Sequence, residues 1–189
     1  RRNLNYSPVT FHRNEVCIRV DKYSVAVTKG YVIRFKDKIL VTDCSNEGNI
    51  SGTIAGGVIG YNESEEALKE CTNSGDITGT AYTGGIAGYN SVAYVADCFN
   101  TGMISGVDNV GGIVGYNSQS ISECDNNGEV SSIGYYAGGI AGYSDAYVVN
   151  CTNDQTISGN AYVGGIVGQL GEKNNSTESV FKNVVYSGT

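Results

Sequence analysis

Six cysteines fall at Cys17, Cys44, Cys71, Cys98, Cys124 and Cys151, separated by 27, 27, 27, 26 and 27 residues. Around the last five runs one pattern, written in full at Asp43-Cys44-Ser45-Asn46-Glu47-Gly48-Asn49-Ile50-Ser51-Gly52. It returns as ECTNSGDITG from Glu70, DCFNTGMISG from Asp97, ECDNNGEVSS from Glu123 and NCTNDQTISG from Asn150. A second block alternates with it: GGVIGYN from Gly56, GGIAGYN from Gly84, GGIVGYN from Gly111, GGIAGYS from Gly138 and GGIVGQL from Gly164. Two motifs in phase over five copies admit few folds. A single copy cannot bury its own apolar side, so the copies must stack and share one core.

Within each copy the apolar residues come in short runs bounded by Asn-x-Gly and Gly-Gly, which reads as strand, turn and strand rather than as a helical stripe. Glycine, at 27 of 189 residues, argues the same way, since each glycine in a helix costs ~1 kcal/mol relative to alanine. A propeller blade needs about 40–50 residues. Fully extended, one copy spans ~90 Å, the perimeter of one solenoid coil of two or three strands. The expected fold is therefore all-β: a parallel β-solenoid, or β-helix, of ~27-residue coils with an N-terminal β cap. Residues 1–40 form the β segment or cap, and residues 41–189 form the solenoid, ending in a partial coil.

Stacking at ~4.8 Å places equivalent side chains in columns. Cys44, Cys71, Cys98, Cys124 and Cys151 make one interior column. Ile50, Ile77, Ile104, Val130 and Ile157 make a second, and Val58, Ile86, Ile113, Ile140 and Ile166 a third. Asn46, Asn73, Asn100, Asn126 and Asn153 fall at a corner where amides can hydrogen-bond from coil to coil. The glycines suit corners that need positive φ or close backbone approach. Six cysteines invite three disulfides, but neighbours in a column point the same way, which strains a bridge and favours free, buried thiols.

The Gly-Gly-Ile-x-Gly-Tyr-Asn block with Cys-x-Asn-x-Gly-x-Ile-Ser-Gly resembles the GLUG repeat, over roughly residues 41–170. That repeat occurs in bacterial cell-surface proteins, including large adhesins and the non-catalytic region of IgA-specific metallopeptidases. The resemblance implies an extracellular, cell-surface or cell-wall location and names no ligand. Gln169-Leu170 in place of Tyr-Asn departs from the pattern, and residues 1–40 do not match it.

Residues 14–41 alternate as β-structure: Val16, Ile18 and Val20, then Val25 and Val27, then Tyr31, Ile33 and Phe35. They read as an atypical first coil or a capping element. Val180 through Gly188 reads as a sixth half-repeat with Phe181 in the cysteine place. The chain stops at Ser187-Gly188-Thr189, aligned with the Ile-Ser-Gly end of the first block. That predicts an excised piece of a longer protein, or a coil completed by another chain in end-to-end self-association.

The charge narrows the chemistry. Residues 1–41 carry nine Lys/Arg against three Asp/Glu, and residues 42–189 carry three against sixteen. An acidic body lacks the clustered cations that phosphate demands, so nucleic acid is not an expected partner. The basic N-terminal charges alternate with apolar residues, as on a solvated strand face. No apolar run approaches 18 residues, so membrane insertion is not expected. His12 is the only histidine, and neither His-Glu-x-x-His nor Gly-x-Ser-x-Gly occurs. No catalytic residue, metal ligand or cofactor is therefore assigned. Asp43, Glu70, Asp97 and Glu123 precede the column cysteines and by alternation should point outward in a row. That row is the basis for a second reading, a carbohydrate-active solenoid enzyme, or for calcium bridging. Against it, Lys69 is the only Lys/Arg between residues 42 and 172, so nothing would hold a polyuronate.

Tyrosines are the binding candidates. Tyr61, Tyr89, Tyr116 and Tyr143 belong to the repeat and are expected to stack. Tyr82, Tyr94, Tyr136, Tyr147 and Tyr162 vary between copies and could offer flat apolar faces to a host or matrix glycan or protein. The function expected is a non-enzymatic adhesin, binding module or spacer, with a self-assembling surface filament as a third reading.

Overall fold

The computed structural model describes residues 16–20, 23–27, 41–171, 181–182 and 185–188. These residues contain strands and no helix, wound as parallel coils whose equivalent strands pair directly. Each coil has four short strands rather than two or three, and in the third coil the third of them is broken into Ile104–Gly106 and Val110–Gly111. In the second coil these are Leu68–Lys69, Thr72–Asn73, Ile77–Gly84 and Ala87–Asn90. The register is that of the repeat: Leu68 pairs with Val95 and Val41, Asn73 with Asn100 and Asn46, Ile77 with Ile104 and Ile50, and Tyr89 with Tyr116 and Tyr61. A β-solenoid follows directly from these pairings.

The three apolar columns lie inside. The cysteines pack with Leu68, Val95, Ile121 and the column Val58, Ile86, Ile113 and Ile140. Ile77, Ile104 and Val130 form a second cluster beneath the third strand. Burying each such side chain stabilises by roughly 1.5–3 kcal/mol, a gain available only because another coil covers it.

One corner is built differently from expectation. Asp43, Glu70, Asp97, Glu123 and Asn150 have φ between 52° and 59°. The carboxylates are exposed, yet strand alternation is not the cause. Each sits in a left-handed corner between the first and second strands, which turns its side chain out and the next cysteine in. The Gly-Gly pairs instead meet the need for close approach. A Cβ on Gly84 would sit 2.7 Å from the Ile113 carbonyl oxygen, and one on Gly85 would sit 2.6 Å from the Asn100 amide carbon.

The even cysteine spacing hides a trade between two segments. From the start of the third strand to the first glycine of the pair the chain takes seven residues at Ile50–Gly56, eight at Ile77–Gly84 and nine at Val130–Gly138. The link from the fourth strand to the next coil shortens as well, from five residues between Asn62 and Leu68 to four between Asn90 and Val95 and three between Ser144 and Val148.

The ends differ from the interior. Val16–Val20 and Tyr23–Val27 form an antiparallel hairpin, and Val20 pairs antiparallel with Val41. Cys17 therefore lies outside the parallel column; Tyr31, Ile33 and Phe35 lie outside the described residues. At the other end Phe181 pairs with Val148, not with Cys151, so it continues the first-strand column. Tyr186 pairs with Asn153, and the Ser187 amide donates to the Asn153 carbonyl. Ser187-Gly188 thus occupies the Asn-x-Gly turn rather than the Ile-Ser-Gly end, because the link before it is longer than the repeat spacing allows.

Candidate functional site

Two amide ladders fix the corners that carry the outer face. Asn46 Nδ2 donates to Asn73 Oδ1, Asn73 to Asn100, Asn100 to Asn126 and Asn126 to Asn153, each at 2.7 Å. The second hydrogen of each Nδ2 goes to a nearby carbonyl, as Asn73 to Gly75 at 2.8 Å. A second ladder follows the tyrosines: Asn62 Nδ2 donates to Asn90 Oδ1 at 3.0 Å, Asn90 to Asn117 at 2.8 Å and Asn117 to the Ser144 hydroxyl at 3.3 Å. All four residues are buried. Sequence reasoning missed this ladder, although its signal was there in the Asn or Ser that closes the Gly-Tyr-Asn block.

With Asn90 turned inward, Tyr89 must turn outward, and so for each copy. Tyr61 and Tyr89 stack with centroids 4.5 Å apart, Tyr89 and Tyr116 at 4.7 Å and Tyr116 and Tyr143 at 5.1 Å, all within 8° of parallel. The faces between them are therefore spent on one another, and the hydroxyl edges face out. Asp145 closes the ladder: Tyr116 donates to its Oδ2 at 2.8 Å and Tyr143 to its Oδ1 at 3.2 Å. Burial first, then this hydrogen bond and the Asp145 charge, hold the Tyr116 phenol well above its ordinary range. Tyr89 is raised too, by burial and by the charges of Tyr82, Asp145 and Glu63.

The variable tyrosines separate into two groups. Tyr82 meets Tyr89 and Tyr116 edge-on at 5.1 and 5.8 Å, and Tyr136 meets Tyr143 at 6.0 Å. Tyr162 lies 5.2 Å from Tyr136. These three extend the ladder sideways. Tyr94 and Tyr147 do not join it. They sit exposed on the far side of the fourth strand, just before Val95 and Val148, with Ser120 at the equivalent place between them.

Tyr135 was not singled out by the sequence, and the structure adds it. The extra residue of the fourth coil makes a bulge against Ile157–Gly164 between Ser132 and Tyr135. Gly134 N donates to the Val107 carbonyl at 2.9 Å and Tyr135 N to Asp108 Oδ1 at 2.9 Å. Held this way, Ile133 is 71% exposed and Tyr135 54%. Bulges re-aim side chains, and here Tyr135 reaches Tyr136 at 6.0 Å and Tyr162 at 6.2 Å. The result is one continuous surface of eight tyrosines: 61, 82, 89, 116, 135, 136, 143 and 162.

The other candidates form no comparable surface. Thr42 and Lys69 contact Glu70, and Lys69, at 2.8 Å, holds the carboxyl below its usual range. Asn150 contacts Glu123 from the next coil. Among the described residues no group of three His, Cys, Asp or Glu gathers where a metal ion could sit. The five column cysteines are free buried thiols, each donating to the carbonyl two residues back, as Cys98 to Ala96 at 3.1 Å. Cys44 pulls Cys71 down, but Cys98 and burial outweigh it and push Cys71 up to about 12. Cys98 goes the other way, because Cys124 and then Cys71 would donate to a thiolate there. Charge on one sulfur thus excludes charge on the next.

Comparison with protein families, with curated proteins and with solved structures finds no match to this chain.

Proposed function

We propose that this chain is a non-enzymatic repeat module of a bacterial surface protein, displayed outside the cell, where the solenoid gives reach and the tyrosine surface binds. The tyrosine surface is the observation that carries the reading. Packing alone explains the four ladder rings. It does not explain a bulge that lifts Ile133 and Tyr135 into solvent beside Tyr136 and Tyr162. Exposed apolar groups that cluster around aromatics mark interaction sites. The placement outside the cell rests on the likeness of the two motifs to the GLUG repeat.

The test is a panel of matrix proteins and glycans probed with the wild-type chain and with the Tyr135→Ser/Tyr162→Ser double variant. Retention of at least one class by the wild type, and its loss in the variant, is the expected result. Polysaccharide cleavage that disappears in Glu123→Gln would sink the non-enzymatic reading and favour the acidic row instead.

A further inference from the structure

We infer that the tyrosine surface receives a positively charged segment of a partner protein, one that presents arginine or lysine. The inference rests on the binding reading above and names the chemistry of the occupant.

The hydrogen-bonding character of the surface comes first. Tyr116 commits its hydroxyl hydrogen to Asp145, so what its oxygen turns outward is acceptor. Asp145 receives one hydrogen on each oxygen and, as a carboxylate, has lone pairs left over. Asp108 accepts from the Tyr135 amide and is likewise acceptor-only. Such a surface calls for a donor-rich occupant. Arginine and lysine side chains donate and never accept, whereas each sugar hydroxyl brings an acceptor that must also be satisfied.

Ring geometry points the same way. A sugar stacks on an open aromatic face, but the ladder faces that lie between Tyr61 and Tyr143 are covered by neighbours within 8° of parallel. The rings that escape stacking, Tyr135, Tyr136 and Tyr162, are tilted by 33° to 45° to one another. Tilted phenols suit a guanidinium or ammonium group, which is drawn to the negative ring face, better than one flat pyranose.

Charge decides the sign. Residues 42–171 hold a single cation, Lys69, against fourteen Asp/Glu. Lys69 lies on the first strand and is paired with Glu70. Glu63, Asp108 and Asp145 lie around the tyrosines, and residues 70–171 contain no lysine or arginine to offset them. An anionic glycan is repelled, and a cationic segment is steered in.

The test measures binding of the full chain by titration calorimetry against three probes: an arginine-rich peptide, its glutamine-substituted counterpart and a neutral hexasaccharide. The arginine peptide is expected to bind, and the other two to bind at least about tenfold more weakly. Binding should weaken about tenfold in Tyr135→Ser and in Asp145→Asn, and as salt rises from about 50 to 300 mM. The control is Asp97→Asn/Glu123→Gln, on the remote corner of the coil, which should leave affinity within about twofold. If the control weakens the peptide as much as Asp145→Asn does, the attraction is diffuse and the inference fails. If the hexasaccharide binds in a Tyr135-dependent way and the peptide does not, the inference fails while the binding reading stands. If Tyr135→Ser and Ile133→Ser change the binding of no probe, the binding reading itself fails.

Discussion

Asn100 shows how much one side chain does in a stacked fold. Its Nδ2 donates to Asn126 Oδ1 and to the Gly102 carbonyl, while its Oδ1 accepts from Asn73 and from the Gly102 amide. Every polar site of the amide is used, and the residue is fully buried. Removing it leaves groups unpaired on the coil before, on the coil after and in its own turn, so Asn100→Ala should destabilise by ~1–3 kcal/mol. An ordinary surface change stays within about 0.5 kcal/mol. Denaturant midpoints of the two proteins decide the matter: equal midpoints would mean that the ladder contributes nothing. The left-handed acidic residues make a contrasting case. Glu70 tolerates an uncommon backbone conformation and gains no buried contact from it; its value lies in turning Cys71 inward.

At the scale of the element, the tyrosine ladder acts as a unit through Asp145. A phenol raised above its unfolded value near 10 contributes stability that is fully present below about pH 10 and is lost as pH climbs through the folded value. Tyr116 is raised in this way. The fold should therefore lose stability above about pH 10, and Asp145→Asn should bring part of the delayed ionisation back down. Following tyrosinate absorbance with pH in wild type, Tyr116→Phe and Asp145→Asn tests this. A wild-type curve without a delayed component would contradict it.

The ladder itself was legible in the sequence, because Tyr61, Tyr89, Tyr116 and Tyr143 recur in phase. So were the cysteine and asparagine columns. The membership of the wider surface was not legible. Tyr94 and Tyr162 look alike as isolated letters, and only the position of the fourth strand between them separates Tyr94 from the surface. Tyr135 was hidden because its bulge adds a residue that the shorter link after Ser144 takes away, which leaves the cysteine spacing even. The corner acids were read as outward for the wrong reason, since nothing in the letters shows a left-handed φ. Phe181 was misplaced because the last link breaks the period.

For the whole molecule, the deciding feature is the direction of its hydrogen bonds. Ile77 N donates to the Met103 carbonyl at 2.9 Å, Ile104 N to Glu129 at 2.9 Å and Val130 N to Thr156 at 3.2 Å. All of these join one coil to the next, along the stack. Tension applied to the two ends of the chain therefore loads one seam at a time, as in a zip, rather than shearing many bonds together. Each coil that peels away frees about 27 residues, or ~90 Å of contour length. It also uncovers one cysteine that the next coil had sealed. In an optical trap the extension should rise in steps of roughly that size, and a maleimide dye present during the pull should mark one more thiol per step. A single rip with no intermediate would rule this out. Stepwise peeling of this kind would make the chain lengthen under load, with the lengthening recorded in the number of labelled cysteines.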